Sequence, residues 1–120
     1  MAPAILRLPM EARRQKLLER LEAYYRGCGW KVEHGGDGAV RAAGPGGVTW
    51  IGLAVVADDL SSAEFEERLV ELSNQRMAGG GALCPFELLP ADECAADLRA
   101  TLARLRLDAR GNVAVYSRAA

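Results

Sequence analysis

The sequence predicts an α/β domain, on three observations. Three segments carry apolar residues at helical spacing, and they are interleaved with short β-prone runs. One of those runs, Thr49-Trp-Ile-Gly-Leu-Ala-Val-Val56, is apolar on both faces. A strand with no polar face has to be covered from both sides. The expected architecture is therefore three-layered: a mixed sheet of about five strands, three of them meandering, with helices on both faces. At 120 residues the chain suits one domain with a single core of ordinary size.

Residues 1–9, punctuated by Pro3 and Pro9, are expected to form a loosely held lead-in. A first helix starts at Met10, with Leu17, Leu21, Tyr24 and Cys28 on one face and Arg13, Lys16 and Arg20 on another. Gly27 and Gly29 end it, because a left-handed terminal residue is cheapest in glycine. Trp30–His34, Ala39–Ala43 and Val48–Val56 follow as strands, separated by the turn sequences Gly35-Gly-Asp-Gly38 and Gly44-Pro-Gly-Gly47.

Ser61-Ser-Ala-Glu64 is a capping-box sequence that opens a second helix. Phe65, Leu69, Leu72 and Arg76 share one face of it, Glu64 and Arg68 form a favourable pair, and Gly79-Gly-Gly81 is expected to stop it. A fourth strand lies in Ala82–Leu89, where Pro85 removes one backbone donor and points to an edge or a strand end. Pro90-Ala-Asp-Glu93 opens a third helix, with Cys94, Leu98, Leu102 and Leu105 at helical spacing, and Val113–Ser117 supplies a last strand. The order is α-β-β-β-α-β-α-β, with no internal repeat and no dividing linker.

Over roughly residues 10–89 this arrangement resembles the PD-(D/E)XK, or restriction-endonuclease-like, nuclease domain. The residues that carry the likeness are the first helix, the strand Gly-Trp-Lys-Val-Glu33, the glycine turn with Asp37, the second strand, the Gly/Pro turn, and an apolar strand followed by a helix. In active members an aspartate near the start of the second strand and an acid-x-lysine on the third bind a divalent metal and position the attacking water. Alternate side chains on a strand face one side, so that spacing lets two carboxylates share the ion. Asp37 matches the first position, and Gln75 echoes a glutamine that some members carry on the next helix. The third strand departs from the pattern: Ile51, Gly52, Leu53, Ala54 and Val55 stand where acid-x-lysine should be. The resemblance thus implies a domain whose metal site, and with it nuclease activity, is missing.

Other chemistry finds little support. The net charge is −1, which gives no global basic field for nucleic acid. The first helix does carry a basic patch, Arg13, Arg14, Lys16 and Arg20, interleaved with Glu11, Glu19 and Glu22. Cations near a helix N-terminus oppose its dipole, which makes this patch a candidate for phosphate contact, although the interleaved acids favour a solvated helix face. A second group, Arg99, Arg104, Arg106 and Arg110, sits toward a helix C-terminus, where cations are at home. With one histidine, His34, and no Cys-x-x-Cys, no metal site is expected. None of the glycine-rich turns continues as a P-loop, so no cofactor is expected either.

Cys84, between a triple glycine and a proline, is the one thiol in unusual surroundings, but a reactive thiolate needs a base or a positive field, only His34 could serve, and nothing in the sequence brings it near. Three cysteines suit a reducing compartment better than a disulfide framework, and no segment is long and apolar enough to span a membrane. A cytoplasmic protein is expected. Two functions of different classes stand open, a catalytically inactive nuclease-like binding module for nucleic acid or a protein partner and a small adaptor, immunity-type or chaperone-like domain without nuclease ancestry, with a thiol enzyme built on Cys84 as a third. A homodimer through the sheet edge or the first helix is open as well.

Overall fold

The computed structural model describes residues 10–78 and 80–116. Helix α1 (Met10–Gly27) leads into a meander of β1 (Lys31–His34), β2 (Val40–Ala43) and β3 (Thr49–Val55). Then come α2 (Ala63–Ser73), β4 (Phe86–Pro90), α3 (Ala95–Arg104) and β5 (Val113–Val115). The expected α/β class, five-stranded mixed sheet and three helices are all present. The expected lead-in, residues 1–9, lies outside the described residues.

The sheet runs β1-β2-β3-β4-β5. Pairing is antiparallel from β1 to β3 and parallel from β3 to β5, so β2 alone runs against the others. β3 is the middle strand and is buried from Ile51 to Val55, which accounts for its two apolar faces. Alternation splits it: Gly52 lies under Tyr25 of α1, and Ile51, Leu53 and Val55 point to the other face. The crossovers β3–α2–β4 and β4–α3–β5 are of the kind that winds right-handed, which sets α2 and α3 side by side. There Arg104 of α3 pairs with Glu66 of α2.

Side-chain bonds hold α1 to the turn after β3 and to the sheet. Arg14 grips Asp59 with both terminal nitrogens, at 2.6 and 2.9 Å, while Asp59 Oδ2 also accepts the Val56 amide at 3.0 Å. Tyr25, wholly buried, donates its hydroxyl to Glu87 of β4 at 2.7 Å. Tyr25 is also part of an aromatic stack that passes to Trp30 at 6.1 Å and on to Trp50 at 5.0 Å.

Three local expectations are corrected. The cap of α2 is Ser62, whose side chain accepts the Phe65 amide, because Ser61 belongs to a 3-10 turn over Ala57–Ser61 and donates to the Asp58 carbonyl. The helix stops at Asn74, well before the glycines: Arg76 has left it to bridge Leu83, and Met77 donates to the Ala82 carbonyl. Of the glycines, Gly80 and Gly81 sit in the loop of that small hairpin, and Gly79 lies outside the described residues. The fourth strand begins at Phe86, since Ala82–Pro85 is taken up by the hairpin and the turn that follows it.

Candidate functional site

Asp37 sits in the β1–β2 turn, where Gly38 takes φ +85°, a left-handed conformation that favours glycine. Its Oδ1 accepts the Ala39 amide at 3.2 Å, which is the usual way an aspartate closes a turn on itself. Both carboxylate oxygens also face Arg41 of β2, at 3.0 and 3.3 Å. The same guanidinium donates to Gln75 Oε1, just past α2, at 2.9 Å. The structure thus brings Asp37 and Gln75 to one place and puts a cation between them.

This cluster is tightly fitted. A side chain at Gly35 would overlap the Arg41 guanidinium and the Asp37 carboxylate. Arg41 pairs across the ladder with Ile51, so Ile51 and then Leu53 are the β3 side chains on this side of the sheet. They are 0% and 3% exposed, with no charge to offer a metal. Among the described residues, no three His, Cys, Asp or Glu side chains lie close enough to hold an ion.

The Arg41 hydrogen bond holds the Asp37 carboxyl below the usual carboxylate range, aided by the Ala39 amide and opposed by partial burial. A carboxyl with a lowered folded pKa adds stability that is fully present above its unfolded pKa of about 3.9 and is lost as pH falls through the folded value. Asp37 is about a third exposed, so screening keeps the gain below about 1 kcal/mol. Replacing it with asparagine is expected to lower stability at pH 6 by that amount and to make no difference near pH 2. Urea titrations at the two pH values check this, and a deficit that persists unchanged at pH 2 would assign the loss to the turn rather than to the ion pair.

The basic patch of α1 divides. Arg13 is paired with Glu93 and Arg14 with Asp59 and Glu11, so both serve to dock the helix. Lys16 and Arg20 stay exposed and line a cleft of about 350 Å³ with Leu17 and the turn Ala91–Glu93. His34 stands 2.5 Å from Glu22, a carboxylate 8% exposed on α1, which Arg26 also approaches at 3.3 Å. Cys84 is buried elsewhere, its amide on the Gln75 carbonyl, and burial pushes its thiol up against a smaller opposing pull from Arg41. A thiol centre built on Cys84 and His34 is therefore not assembled.

The sequence pointed to Asp37 and Gln75 but not to Arg41 or Glu87. A lone arginine in Val-Arg-Ala-Ala43, and a lone acid in the apolar strand Phe86-Glu-Leu-Leu-Pro90, were the signals available. Glu87 is 5% exposed and takes the hydroxyls of both Tyr25 and Tyr116. Burial, and then the adjacent carboxylate, hold both phenols far above their ordinary range, so they stay donors. Comparison with protein-family models, with characterised proteins and with solved structures finds no match to this chain.

Proposed function

We propose that this chain is a nuclease-like domain without a working metal site, and that it acts by binding. The observation that carries the proposal is the Arg41 guanidinium, seated between Asp37 and Gln75 where the resemblance would place a divalent cation. A fixed cation there repels a metal ion and already uses the carboxylate. Ile51 and Leu53 supply neither the second acid nor the lysine. The meander, the helix after it and the parallel strand β4 support the restriction-endonuclease-like layout.

A protein partner suits the surface better than a phosphate backbone does. Two of the four patch cations, Arg13 and Arg14, are committed to the protein's own carboxylates, which leaves Lys16 and Arg20 for any phosphate. The test is incubation with supercoiled plasmid and Mg²⁺ or Mn²⁺. The plasmid is expected to remain intact, and neither metal is expected to raise the melting temperature. Nicking that Asp37→Asn abolishes would overturn the proposal.

A further inference from the structure

The two edges of the sheet are unlike. β1 presents Lys31, Glu33 and His34, all exposed, and charged side chains are how an edge strand keeps other strands away. β5 is Val113-Ala-Val115, with no charge, proline or glycine to guard it. Asn112 and Tyr116 bond to β4 through Phe86 and Leu88, so in a parallel ladder Ala114 faces β4 and the peptide groups of Val113 and Val115 face outward.

Beside this edge is a groove of about 340 Å³, lined by Arg99, Leu102, Asp108, Val113 and Val115. Arg99 and Asp108 are exposed and form no ion pair among the described residues. The crossover helix α3 runs against the strand, so Arg99 lies toward the Val115 end and Asp108, past the helix, toward the Val113 end. An apolar floor with opposite charges at its two ends is self-complementary, which is what a two-fold interface requires.

We propose that β5 pairs antiparallel with the β5 of a second copy about a two-fold axis at Ala114. Val113 then exchanges both backbone hydrogen bonds with Val115 of the other copy, and the reverse pair does the same. Arg99 of each copy meets Asp108 of the other. The two sheets become one sheet of ten strands.

Sedimentation velocity on the full chain across the micromolar range is expected to show a dimer. Arg99→Glu sets like charges together at both ends and is expected to weaken the dimer at least about tenfold. Arg99→Glu/Asp108→Arg is expected to restore it. Val113→Lys, at a partly exposed edge position, is expected to give a monomer with an unchanged far-ultraviolet dichroism spectrum. A wild-type monomer throughout the range overturns the proposal. A dimer indifferent to Arg99→Glu, or one that the charge exchange does not restore, also overturns it. So does a monomer with Val113 and Val115 amides protected from exchange, which would mean that the chain covers its own edge.

Discussion

Above about pH 10 the protein is expected to lose stability at about 1.4 kcal/mol per pH unit through Tyr25 alone. In the unfolded chain this phenol ionises near its ordinary value of about 10. In the folded protein it is wholly buried and held protonated, first by the loss of water and then by the Glu87 carboxylate that accepts its hydrogen. A group whose pKa is raised on folding contributes its full stability below the unfolded pKa and loses it as pH climbs toward the folded one. Tyr116 acts in the same direction, over a shorter span of pH because it is only partly buried. The Cys84 and Cys94 thiols, pushed up by burial, begin to act at lower pH.

Tyr25→Phe separates these contributions. It is expected to cost about 1–2 kcal/mol at pH 7, because Glu87 loses one of its two phenol donors. Its stability is then expected to fall with alkaline pH less steeply than that of the parent, by about 1.4 kcal/mol per unit. Chemical denaturation at several pH values from 7 to 11 reads both quantities. Equal slopes for the two proteins would mean that the phenol is not a buried donor.

Gly52→Ala is expected to destabilise by about 1–3 kcal/mol, the range for forcing extra volume into a packed core. An added methyl would stand 2.8 Å from Tyr25 Oη, 3.0 Å from Tyr25 Cε2 and 3.2 Å from Val40 Cγ2. The tyrosine is the end of a side chain, but it cannot swing aside: its hydroxyl is bonded to Glu87 and its ring is stacked on Trp30. Removing the hydroxyl relieves the shortest of these contacts. The double variant Gly52→Ala/Tyr25→Phe is therefore expected to cost less than the two single changes together, by about 0.5 kcal/mol or more. Strict additivity in a double-mutant cycle would show that glycine is kept at 52 for some other reason.

What the sequence disclosed and what it withheld divide along a physical line. Periodicity is local, so helices over Leu17–Leu21 and Leu98–Leu102 and the apolar strand at 51–55 were legible. Turn chemistry is local too, and it identified the Gly35–Gly38 and Gly44–Gly47 turns. Choosing between Ser61 and Ser62 as a cap was harder, since both precede the same run and a 3-10 turn decides between them.

Long-range pairings leave no local trace. Tyr25 and Glu87 are 62 positions apart, Arg14 and Asp59 are 45 apart, and Arg41 and Gln75 are 34 apart. Asp37 and Gln75 could be picked out only by likeness to a motif. The cation that joins them belongs to no motif, and only the docking of α2 beside β2 brings it there.

The stack of Trp30 on Trp50 has an optical consequence. These are the only two tryptophans in the chain, their rings 5.0 Å apart and 26° from parallel, so they absorb as a coupled pair rather than as separate chromophores. Indole emission and the exciton signal in circular dichroism both report from one place, the side of the meander that α1 covers. An unfolding curve followed by tryptophan sees that layer come away. Local changes at α3 and β5, where no indole lies, have to be followed by a label or by amide exchange.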